Sequence, residues 1–234
     1  MNFFGHAAVA SWQAADSPGF VLGAMLPDFA NMSQTRVVEV SHPELCAGVE
    51  LHHRTDRVFH TTSRFVALCR EATQTLLERG VGKGRAHAVA HVGVELLLDG
   101  CLVEQPEARR AYTAAIRCSS DRELGGSIRW VDEEGRARWL ALRGRLERYG
   151  PPDDYRDPAV VASRVERILR GRRRLALDAP QQEVASRYLP ELQRSVQAQT
   201  VPLIAELRRD LAEAVGESAP RGPLARGPRT CEVR

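Results

Sequence analysis

Six of the seven histidines fall in three short segments: His6, the run holding His52, His53 and His60, and the pair His87 and His91. Imidazoles and carboxylates are the donors that hold divalent first-row ions, and they are also the groups that move protons near neutral pH. On a helix, residues four apart share a face, with a rise of about 6 Å between them. His52 and Asp56 stand at that spacing and can share one ion. His60 lies about 12 Å along the axis from His52, too far for one ion with bonds of about 2 Å, so it calls for a second ion or a substrate phosphate. His87, His91, Glu95 and Asp99 form a four-residue ladder along an otherwise apolar helix, where charged groups need partners. Asp28 follows Leu26-Pro27, which reads as the end of an apolar helix, so its carboxylate is fixed by the backbone. Each has a plainer reading: a packed or solvated His6, a salt-linked exposed face for His52 and Asp56, a helix-stop acid at Asp28. His42, before Pro43, reads as a cap or turn residue. A set of this kind without thiolates suits manganese, zinc, iron or magnesium.

The elements that must position these groups are helices. Apolar residues recur at three- and four-residue spacing, and alternating β-branched runs are scarce, so the chain reads as all-α, a single multi-helix domain over 1–215. The spacing predicts helices near 2–14, 18–27, 43–60, 62–79, 84–104, 107–117, 136–148, 157–175 and 178–214. Breaks fall at Asp16-Ser17-Pro18, Gly80-Val81-Gly82 and Gly150-Pro151-Pro152. Pro190 and Pro202 are expected to kink or split the last helix. Residues 216–234, rich in Pro, Gly and Arg, read as a disordered tail.

Composition narrows the function classes. The net charge is +3 over 234 residues, which gives no global case for nucleic acid as a partner. The first twelve residues lack a basic leader region, and their apolar run is too short for a span, so neither secretion nor membrane insertion is expected. Five widely spaced cysteines without a CxxC pair fit a reducing, cytoplasmic setting.

Three segments carry a resemblance: Met1-Asn2-Phe3-Phe4-Gly5-His6, Leu22-Gly23-Ala24-Met25-Leu26-Pro27-Asp28-Phe29, and Ala47-Gly48-Val49-Glu50-Leu51-His52-His53-Arg54-Thr55-Asp56. In order and spacing they resemble the N-terminal motifs of the acyl carrier protein phosphodiesterases, and the stretch from Arg167 to Leu207 is similar to that family's C-terminal half. The resemblance implies an HD-phosphohydrolase-like helical fold, a divalent metal with manganese favoured, and release of 4'-phosphopantetheine from holo acyl carrier protein. By motif position it makes His6, Asp28, His52 and Asp56 metal-site residues. The chain departs from the family pattern on the middle helix, at His91-Val92-Gly93-Val94-Glu95, and has His60 where the family has an acid. On this reading His91 joins the metal ligands, and Glu95, Asp99 and His60 are the candidate catalytic groups. Glu95 or Asp99 would orient or deprotonate a water, and Arg54 and Arg57 would clamp phosphate. Arg164, Arg167, Arg170 and Arg173, at three-residue spacing in a basic stretch, would dock the acidic carrier protein. The alternatives are a zinc-dependent phospholipase C or nuclease-like hydrolase, and a non-catalytic metal-binding or carrier-protein-binding module.

Overall fold

A computed structural model describes residues 1–119, 122–217 and 231. Among them the order is α1 (Phe3–Ala14), α2 (Pro18–Met32), β1 (Val37–Val40), α3 (Pro43–Phe59), α4 (Ser63–Glu78), α5 (Lys83–Leu102), α6 (Pro106–Cys118), α7 (Arg122–Gly126), β2 (Ile128–Trp130), α8 (Glu133–Tyr149), a 3-10 turn (Asp153–Arg156), α9 (Pro158–Arg170) and α10 (Ala179–Glu217). The protein is therefore mostly helical, as the periodicity predicts. No single helix among the described residues is long and apolar enough to cross a membrane. The expected disordered tail lies outside the described residues, apart from the end of α10 and Cys231.

The residues group into two compact units. The first takes in Met1–Arg57 and Leu102–Pro152, and the second Val58–Cys101 and Asp153–Ala212. In the first unit α1 and α2 are apolar on nearly every side, and both are buried for most of their length, the pattern of core helices rather than surface ones. They pack on each other and on α6. Aromatic rings knit this core: Phe4 against Tyr112 at 5.5 Å, Phe29 against Trp139 at 5.5 Å, and Trp139 against Trp130 at 5.6 Å. β1 and β2 form an antiparallel ladder pairing Val37 with Trp130 and Val40 with Ile128. In the second unit, Glu206 on α10 caps α4, accepting from the Ser63 amide at 2.7 Å and the Ser63 hydroxyl at 2.6 Å.

Four expectations need correction. Pro27 does not end α2, which runs on to Met32. The ring removes the donor that would reach the Gly23 carbonyl, but burial of Phe29 and Ala30 carries the helix one further turn. Nor do Pro190 and Pro202 split α10, because Leu189, Leu192, Val196, Leu203 and Leu207 keep a buried stripe across both. The helix expected over 157–175 stops at Arg170 with Gly171 as its cap, so Arg173 lies beyond the helix instead of on one face with Arg164, Arg167 and Arg170. The short strands and α7 were not expected.

Candidate metal centre

The first unit holds three of the candidate ligands, and two glycines seat the helix that carries His52 and Asp56 against α2. A Cβ on Gly48 would lie 2.1 Å from the Phe20 carbonyl oxygen, and one on Gly23 would lie 2.3 Å from that of Leu45. Only glycine allows α2 and α3 to approach so closely. One turn after Gly48 and on the same face, His52 meets α2, and its Nδ1 lies 2.9 Å from the Ala24 carbonyl oxygen. A carbonyl only accepts, so Nδ1 carries the proton and Nε2 keeps its lone pair. That Nε2 faces Asp56 Oδ2 at 3.5 Å.

His6 arrives on the buried α1. Its Nε2 lies 3.2 Å from Asp56 Oδ1, 3.1 Å from the Met1 carbonyl oxygen and 4.0 Å from Asp28 Oδ2. The α-amino group of Met1 donates to Asp56 Oδ1 at 2.8 Å. The His6 and His52 rings stack with centroids 3.9 Å apart.

The electrostatics suit a cation. Burial first, and then the neighbouring His6, push the His52 imidazole down to about 3, so it is neutral across the physiological range. Burial alone would raise Asp56, but the hydrogen bond and charge of His6, with the Met1 amino group, hold it below the usual carboxylate range. A neutral imidazole lone pair thus faces an ionised carboxylate across 3.5 Å. Two acceptors at that separation repel unless a cation lies between them. The ligand atoms of His6, His52 and Asp56 lie within 4.8 Å of one another, close to the spacing of about 3–4 Å that bonds of about 2.1 Å impose. The Ala24 carbonyl holds the far nitrogen of His52 as outer partners hold metal-bound histidines. His6 Nε2, facing the Met1 carbonyl and Asp56, carries a proton in the metal-free protein, so these residues fit a divalent ion that displaces that proton on binding.

The second unit gathers another group. His60, one residue beyond α3, and His91 on α5 both aim Nε2 at Oε1 of Glu95, at 3.0 and 3.2 Å. Glu95 sits well below the usual carboxylate range: burial raises it, and nearby positive charge together with hydrogen bonds from His60 and His91 outweighs burial. These three also satisfy the spacing of a metal site.

Against protein-family models, curated proteins and solved structures, the chain shows no match.

The remaining candidates fall elsewhere. The α5 ladder descends from exposed His87 to fully buried Asp99. Asp28 is half-buried within α2, while Arg54 is half-buried and Arg57 exposed on α3. In the basic stretch, Arg164 pairs with Asp154 at 3.5 Å and lies over the Tyr155 ring, and Arg170 pairs with Glu166. Arg167 and Arg173 are exposed. Spacing could reveal the His52 and Asp56 pair and the His91 and Glu95 pair, since each lies on one helix. It could not reveal Gly23, Gly48 or the Ala24 carbonyl, which act only where two helices cross.

Proposed function

We propose that the protein is a divalent-metal-dependent phosphodiester hydrolase whose ion is held by His6, His52 and Asp56, with Asp28 beside them. The observation that carries this reading is the gap between His52 Nε2 and Asp56 Oδ2, two acceptors 3.5 Å apart in a buried site. A divalent ion supplies two things there: polarisation of a phosphoryl oxygen and a bound water acidified toward neutral pH. The chain's own residues do the rest. His52 is kept neutral by burial and oriented by Ala24. Asp56 stays ionised and sets His6 in place. Arg54 and Arg57, on the same helix as His52, would be the groups to bind a phosphate.

The resemblance in the three N-terminal motifs supports holo acyl carrier protein as substrate, in a cytoplasmic setting and on an HD-like helical scaffold, with manganese as the favoured ion. The exposed Arg167 and Arg173 would meet the acidic carrier. The test is hydrolysis of bis-p-nitrophenyl phosphate and of holo carrier protein by chelator-stripped protein, with manganese, zinc, iron(II) or magnesium restored in turn. Metal-restored cleavage of both substrates is expected. Cleavage of the small diester alone would favour the phospholipase or nuclease-like reading, and cleavage of neither would leave a binding module.

A further inference from the structure

We infer that His60, His91 and Glu95 form a second divalent-ion site, with its own ion in addition to the one held by His6, His52 and Asp56. Two imidazole Nε2 atoms and one carboxylate oxygen converge, at 3.0 and 3.2 Å from that oxygen. The donor set is the two-histidine, one-glutamate set of catalytic zinc centres. It selects borderline ions of the zinc class over calcium or magnesium, which take oxygen ligands.

The site is built to hold its ligands still. His91 and Glu95 are one helical turn apart on α5, so their spacing is set by the helix. The His60 ring packs 5.4 Å from Phe65 and 5.5 Å from Phe59, and Phe65 meets His91 edge-on at 5.3 Å. Both phenylalanines are buried, so the rings they bracket have little freedom. His60 and His91 each keep about a third of their side-chain surface exposed, and Glu95 15%. An ion there is reached from solvent and keeps an outward coordination position for water or a substrate oxygen.

The test counts ions. Chelator-stripped full-length protein is titrated with zinc by calorimetry and its metal content measured after dialysis, for the parent, Glu95→Gln, His60→Gln and Asp56→Asn. Cobalt(II) absorption reports the ligand set. The parent is expected to bind two ions and each variant one, with the lost ion weakened by more than the about 10–100-fold that loss of an outer-shell partner costs. Should Glu95→Gln fail to fold, His60→Gln, a change at a partly exposed position, gives the same reading. Full parent stoichiometry in both Glu95→Gln and His60→Gln would overturn the second site. So would a single ion lost equally in Asp56→Asn and Glu95→Gln, which would mean one shared ion. A single ion lost in Asp56→Asn alone would overturn it too, leaving the proposed function intact. A single ion lost only in Glu95→Gln and His60→Gln would uphold this site and refute the first.

Discussion

His52 Nδ1 donates to the Ala24 carbonyl at 2.9 Å because Gly48, one turn earlier, lets α3 rest against the backbone of α2. The crossing thus sets both the tautomer of His52 and the direction of its free nitrogen. Gly48→Ala would place a methyl group 2.1 Å from the Phe20 oxygen and force the helices apart. It is expected to destabilise the protein by about 1–3 kcal/mol and to weaken metal binding. Gly144→Ala, on α8 with nothing within 4 Å of the new atom, is expected to stabilise by up to about 1 kcal/mol. Chemical denaturation of both variants, with zinc calorimetry, checks the contrast.

Acid is expected to destabilise the metal-free protein through His52. Its folded value is about 3 against 6.5 for the ordinary side chain. Below pH 6.5 the unfolded chain takes up a proton that the folded chain refuses, so stability falls as pH drops, by up to about 1.4 kcal/mol per pH unit. Asp56, also held low, adds to the loss once the unfolded carboxylate protonates. His52→Gln is expected to flatten the slope just below pH 6.5. Denaturation midpoints across pH in the presence of chelator measure it.

Glu206 is expected to cap α4 and pair with the Arg64 guanidinium at 3.6 Å, with no part in metal binding. It accepts from the Ser63 amide and hydroxyl and from the Arg64 amide, and those bonds hold its carboxyl below the usual range against the pull of burial. Glu206→Ala is expected to cost about 1–2 kcal/mol and to lower the melting temperature. Metal stoichiometry is expected to stay as in the parent.

Within the basic stretch, intramolecular pairing divides the arginines. Arg164 and Arg170 already face Asp154 and Glu166, whereas Arg167 and Arg173 are exposed. Replacing Arg167 and Arg173 by Ser is expected to slow association with holo carrier protein several-fold at low salt and to reduce its salt dependence. Replacing Arg164 alone is expected to have a smaller effect. Stopped-flow association at two ionic strengths separates the two cases.

The helices were legible because 3.6-residue periodicity is a local property, and so were the one-helix pairs His52 with Asp56 and His91 with Glu95. Proline misleads at Pro27, where the helix runs on past the expected stop, and α10 is not split at Pro190 or Pro202, where a buried stripe continues across both. The strands Val37–Val40 and Ile128–Trp130 are too short for alternation to register. His60 illustrates the remaining limit. Its spacing from His52 argued against a shared ion, and its partners, Glu95 and His91, stand more than thirty residues away, where only tertiary structure could supply them.

The most direct measurement is phosphodiesterase activity of the parent and of Asp56→Asn, each stripped with chelator and then supplied with manganese or zinc. The substitution keeps the shape of the side chain and removes the charge that faces His52 Nε2 and His6 Nε2. The parent is expected to lose activity with the chelator and regain it with metal, while Asp56→Asn, assayed below its own lowered melting temperature so that it is folded, regains at most a few per cent. Activity in the parent that survives complete metal removal, or full metal-restored activity in Asp56→Asn, would contradict a metal-dependent hydrolase built on His6, His52 and Asp56.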